Sequence, residues 1–171
     1  MKNILLDSML HEYNLIEHLY TKLPEGSAEW RPAENMRSTI DLLRYLVFIG
    51  TSGVETLHKG GWGIPENIDK LRARSAATKE LQFADIPLAI EKEKHHIKEL
   101  MSQISAEDLE TETTYPWGEK AKLGRALLEA PLKYLTAYRM QLFLYAKQNG
   151  AEIGTANNWR GVDPKPKPQA V

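Results

Sequence analysis

An all-α fold, with four long helices packed as one bundle, is what this sequence predicts, and three observations predict it. Apolar residues recur at three- and four-residue steps over four segments. Hydroxyl, acidic, proline and glycine residues punctuate the ends of those segments. A chain of 171 residues with 42% hydrophobic residues suits one domain around one core.

Taken in order, Leu5, Met9, Ile16, Leu19 and Leu23 mark the buried stripe of a first helix over residues 3–22, with Glu12 standing where an apolar residue is missing. Pro24 and Gly26 end it. Ser38, three residues before Asp41, has the spacing of a capping box and starts a second helix that runs to about His58. Its stripe is Ile40, Leu43, Val47, Gly50, Val54 and Leu57. Residues 61–83 form the longest connection, for which an ordered loop or short helical turns are expected. A third helix begins near Asp85, tolerates Pro87 in its first turn, and buries Ile90, Ile97, Leu100 and Ile104. Tyr115-Pro116-Trp117-Gly118 reads as an extended or turn segment. The fourth and longest helix starts around Leu123 and ends at Asn149, with Gly150 as its cap and Pro131 predicting a kink or an irregular first turn. The bundle therefore spans residues 1–150. Residues 151–171 read as an extension anchored by Trp159, whose Pro/Lys end has the composition of a disordered, solvated tail.

Charge excludes some functions. The 22 basic and 23 acidic residues are interspersed and sum to −1, so no positive stripe invites a nucleic-acid backbone. The absence of cysteine removes disulfides, thiolate metal sites and a cysteine nucleophile. The first residues reach Asp7 and then His11-Glu12, which fits neither a signal peptide nor a membrane span, so a cytoplasmic location is expected.

Three pieces of the sequence go further: Trp30-Arg31-Pro32 followed by Ser38 to Leu46; the long connection with its charged third helix; and the run from Tyr134 to Leu142 that continues to Gly150. Over residues 3–150 these resemble the DinB/YfiT-like four-helix bundles, which include metal-dependent enzymes and thiol-linked transferases. The resemblance implies a long connection between helices two and three. It also implies a metal held by one histidine on helix two and a His-x-x-x-His pair, followed by Arg-x-Gln, on helix four, where i, i+4 side chains share a face. Tyr45, Tyr134 and Tyr138 stand at those three positions. Arg139 and Gln141 match the Arg-x-Gln, with Met140 where a glycine is common.

Three phenols are poor zinc ligands. At pH 7 each must lose a proton from a group of pKa about 10, which costs about 4 kcal/mol per tyrosine and about 12 for three. That consumes most of the roughly 10 to 16 kcal/mol a structural zinc site provides. No metal and no cofactor is therefore expected, ferric iron, which accepts phenolate, being the exception. The remaining histidines offer no substitute. His11 and His18 are seven residues apart, about 10.5 Å along a helix, while His95 and His96 are adjacent and diverge on a charged face. His58 suits the negative end of helix two.

The fourth-helix stripe of Leu127, Pro131, Tyr134, Tyr138, Gln141, Tyr145 and Gln148 is polar and aromatic in its second half. Its phenols either sit at the core boundary or line a repurposed pocket. The pocket candidates are Tyr45, Tyr134, Tyr138, Gln141, Glu12 and Arg139, with Glu12 either facing that pocket with Arg139 as partner or exposed at the helix edge. Three functions follow from this pattern: a metal-free protein binding an apolar or aromatic small molecule; a transferase or hydrolase-type enzyme using phenols as acids and Glu12 as base; and a structural module forming a homodimer.

Overall fold

The computed structural model describes residues 1–164, so all but the first residue of the expected Pro/Lys tail lies outside them. In chain order the elements are α1 (Lys2–Tyr20), α2 (Thr39–His58), α3 (Pro65–Thr78), α4 (Ile86–Gln103), β1 (Glu112–Thr114), β2 (Lys120–Lys122), α5 (Leu123–Leu127), α6 (Lys133–Gln148) and α7 (Thr155–Arg160). A single π-helical turn, Leu128–Leu132, joins α5 to α6, making the fourth bundle helix one continuous rod. Both α1 and α2 pack against α4 and α6, so α1 and α2 face each other across the core. The fold is an all-α bundle with one two-stranded antiparallel ribbon, paired Glu112 to Lys122, at its end. No described helix is long and apolar enough to cross a membrane.

Local chemistry sets the bundle's boundaries. Ser38 caps α2 as its spacing predicts, its hydroxyl accepting the Asp41 amide at 3.3 Å, but in place of the reciprocal backbone bond of a capping box the same hydroxyl donates to the Asp41 carboxylate at 2.9 Å. Pro131 falls inside the π-helical turn. The wider turn accommodates a residue with no amide hydrogen and a ring that crowds the preceding carbonyls. The α2 backbone approaches it closely at Gly53, where a Cβ would stand 3.0 Å from Pro131 Cβ.

The connection between α2 and α4 is more ordered than its sequence suggests. It holds the 14-residue α3, which starts at Pro65 with Glu66 in its first turn and is rich in alanine, but buries only Asn67 fully. Without an apolar stripe the periodicity signal vanishes, and polar contacts position the helix instead. Asn67 Nδ2 donates to the carbonyls of Lys59 (3.1 Å) and Gly61 (3.0 Å). Arg74 Nη2 donates to both oxygens of Glu93 at 2.7 Å, and the Thr51 hydroxyl of α2 donates to the same carboxylate. Gly61, at φ +94°, lets the chain cross β1, since a Cβ there would lie 2.2 Å from the Thr114 carbonyl oxygen.

Two further expectations are corrected. The buried face of α6 runs through Leu135, Arg139, Leu142 and Ala146, whereas Tyr134, Tyr138 and Gln141 flank it half-buried and Gln148 is exposed. Of the expected stripe, Leu127, Pro131 and Tyr145 are buried, and Tyr134, Tyr138 and Gln141 stand at the core boundary. The extension is anchored by buried Asn157 and Asn158, while Trp159 remains half-exposed, because α7 docks on α1 through polar contacts.

Candidate functional site

A cleft of about 710 Å³ opens between α2, α3 and α6. From α2 come Tyr45, Phe48 and Ile49; from α6 come Tyr134 and Tyr138. Leu71 and Ser75 of α3 form the facing wall, and Trp62, from the loop before α3, joins them. The helical repeat explains the convergence. Tyr134 and Tyr138 are one turn apart on α6, and Tyr45 faces them from the neighbouring helix. The Tyr45 and Tyr138 rings meet edge to face with centroids 4.7 Å apart, and Phe48 packs edge to face on Tyr45 at 5.5 Å.

The rim carries charge. Arg37 lies over the Tyr45 ring, 4.3 Å from its centroid, and 5.3 Å from that of Tyr138. Arg44 is committed to the protein: its Nε and Nη2 donate to the Leu81 carbonyl at 3.0 and 2.8 Å, and its Nη1 to Asp41 at 3.1 Å. Asp41 and Lys79 complete the rim.

Burial, followed by the neighbouring Tyr138 phenol, pushes Tyr45 far above the usual tyrosine range, with Arg37 opposing it. Burial also raises Tyr134. These phenols therefore stay protonated at neutral pH, where they can donate hydrogen bonds and are poor anionic ligands. Their donor set does not fit a divalent transition metal, and no group of three His, Cys, Asp or Glu elsewhere among the described residues could hold one. His95 and His96 lie beside Glu91 and Glu93 at 3.3 and 3.8 Å on the charged face of α4.

The other sequence-derived candidates lie elsewhere. Glu12 is buried rather than at an exposed helix edge, and it is not in the cleft. Arg139, fully buried, donates to it through Nε at 2.8 Å and Nη2 at 3.4 Å, and Thr136 donates to it at 3.0 Å. The remaining Arg139 nitrogen, Nη1, donates to Asn158 at 2.6 Å, and the guanidinium lies 4.9 Å from the Trp159 ring centroid. The pair thus ties α1, α6 and α7 together, with both Glu12 oxygens hydrogen-bonded. Gln141 also stands behind the cleft wall. Its Nε2 donates to the Tyr145 hydroxyl at 2.7 Å, which in turn donates to the Arg37 carbonyl at 3.1 Å. Sequence reasoning missed Arg37, Lys79 and Trp62. Arg37 is signalled only by lying just before the Ser38 cap, and Trp62 only by glycines that mark a helix end.

No family model matches this chain, and a search of the curated proteins finds no match. Among solved structures, the crystal structure of the DinB-like protein YjoA from Bacillus subtilis is similar to it, with a TM-score of 0.65 and 18% sequence identity, covering 88% of this chain and 95% of that one. The fold is therefore that of a DinB-like helical bundle. At that identity the likeness carries the fold, and the chemistry of the cleft has to be argued from the side chains that line it.

Proposed function

We propose that this DinB-like protein binds a small, flat apolar or aromatic molecule in the tyrosine-lined cleft, without a metal ion. The observation that carries this reading is the cleft itself: about 710 Å³, within the range of small-molecule sites, walled by Tyr45, Phe48, Trp62, Tyr134 and Tyr138. Aromatic walls supply dispersion and edge-to-face contacts to a flat ligand, and neutral phenols supply hydrogen bonds that fix its orientation. An enzymatic reading finds less support. Acid and base catalysis needs a free base near the phenols, but Glu12 is paired inside the bundle and Asp41 is held by Ser38 and Arg44.

Ligand-observed NMR with indole, 2-naphthol and 2-naphthoate tests the proposal, comparing the native protein with Ser75→Trp, which fills the cleft from the α3 wall. The native protein should retain at least one compound and the variant should lose it. Binding of none, or equal binding by both proteins, would sink the reading.

For the homodimer that the sequence offers as an alternative, a candidate face is present. Met1, Ile4 and Leu128 are exposed along an apolar groove beside α5, a surface that a second copy would cover. Sedimentation velocity of the native protein and of Ile4→Glu tests it, since a dimer formed there should dissociate in the variant.

A further inference from the structure

We infer that the molecule this cleft selects is an aromatic carboxylate, with Arg37 as the group that recognises its charge; the inference rests on the binding reading above and names its ligand class. The rim is unevenly satisfied. Of its three cations, Arg44 is consumed by Asp41 and the Leu81 carbonyl, whereas among the described residues neither Arg37 nor Lys79 pairs with a carboxylate. Asp41, the single acidic residue of the lining, is already neutralised by Arg44 and hydrogen-bonded by Ser38. The rim is therefore left with two unpaired positive charges.

Arg37 is also held in place. Its guanidinium lies on the faces of Tyr45 and Tyr138 at the cleft mouth, and its carbonyl accepts the Tyr145 hydroxyl, which Gln141 holds from α6. Trp30 packs edge to face on Tyr145 at 5.3 Å and completes the support. Its backbone is anchored and its guanidinium, though exposed, rests on two ring faces, so less side-chain freedom is lost on meeting an anion than for a freely rotating surface arginine. A guanidinium fork matches the two oxygens of a carboxylate, and an aromatic body beneath it would lie against Phe48, Ile49 and Trp62. Tyr145 and Gln141 are positioning residues for Arg37. They give the Arg-x-Gln segment of α6 a role at the cleft although neither Arg139 nor Gln141 lines it.

Isothermal titration of the native protein with 2-naphthoate, 2-naphthol and 2-naphthylmethylamine provides the test. At low salt 2-naphthoate should bind about tenfold or more tightly than either of the others. Arg37→Gln should remove most of that preference while leaving 2-naphthol within about twofold, and Tyr145→Phe should reduce the preference in the same direction with the fold intact by circular dichroism. A purely structural role for Tyr145 would instead weaken both ligands together. If 2-naphthol or the amine binds as tightly as 2-naphthoate, the carboxylate inference fails and the binding reading stands. If 2-naphthoate is preferred but Arg37→Gln keeps that preference, the assignment of Arg37 fails. If none of the three binds, both the inference and the reading beneath it fall.

Discussion

Arg139 Nε donates to Glu12 Oε2 at 2.8 Å, between a fully buried guanidinium and a carboxylate whose side chain is 10% exposed. Two charges have left water at this point of the bundle. Breaking such a pair leaves the survivor uncompensated, at a cost of about 3–5 kcal/mol. Glu12→Ala and Arg139→Ala should each lower stability by that amount in urea denaturation. The double variant Glu12→Leu/Arg139→Met should be less destabilised than the two single losses added, because it buries no orphan charge. Additive losses would show that the two side chains do not act as a pair.

Docking of α7 should weaken in acid. His18 Nε2 lies 3.2 Å from Asn157 Nδ2, an amide nitrogen that donates, so the contact requires a neutral imidazole. Burial, followed by the nearby Lys22 charge, holds His18 below its usual pKa, with Asp163 opposing. A histidine depressed on folding contributes stability that is present above its unfolded value of about 6.5 and is lost as pH falls through the folded value. Asp163 is also depressed, chiefly by Lys22, and its contribution is lost only at lower pH, below about 3.9. Amide protection factors in α7, corrected for intrinsic exchange, should therefore fall as pH drops below about 6.5 while those of α1 and α2 hold, and His18→Gln should flatten that step. An unchanged α7 profile through this window would contradict the account.

The α3 wall of the cleft should depend on Glu93. This carboxylate accepts Arg74 from α3 and Thr51 from α2, so it links the wall to the bundle. The Arg74 side chain is 25% exposed, which limits the loss on Glu93→Ala to about 1–2 kcal/mol. The effect should be local: amides of residues 65–78 should exchange faster than in the native protein, while those of α1 and α6 change little. Uniform acceleration across the bundle would mean that Glu93 supports the core rather than the wall.

The bundle was legible in the sequence because its helices obey one rule. The stripes of α1 and α2 from Leu5 to Leu19 and from Ile40 to Leu57 are buried as periodicity predicts, apart from the buried carboxylate at Glu12. Residues placed by polar contacts were not legible in this way. Helix α3 is held by Asn67 and Arg74, and α7 by Asn157 and Asn158, and neither leaves an apolar period to read. The cleft was half legible. Helical spacing brings Tyr134 and Tyr138 together, but Arg37 and Lys79 reach the rim from an irregular segment and a helix end that only the tertiary fold places beside α6. Glu12 and Arg139 were picked out by their chemistry, but the amphipathic pattern does not show which side of α6 a buried cation occupies. A shift of one position along α6, about 100° around its axis, separates the Arg139 pair from the Tyr138 cleft.

The convergence of the three phenols gives the last prediction. Tyr45 and Tyr138 are in ring contact at 4.7 Å, Tyr134 lies one turn from Tyr138, and all three line one cleft. Replacing them together, as Tyr45→His, Tyr134→His and Tyr138→His, would put three neutral imidazoles where three phenols now stand, with a fourth coordination position left to water. Each imidazole is smaller than the phenol it replaces, so the metal-free variant should be less stable than the native protein. Nickel or zinc binding only the folded state should then restore stability, by about 2.7 kcal/mol at a concentration one hundred times its dissociation constant. For a domain of this size that is a rise in Tm of about 5–11 °C. The native protein, with its phenols in place, should show no such rise in the same titration. If the variant keeps its helical circular dichroism spectrum and its Tm does not respond to nickel, the three positions cannot close on one ion.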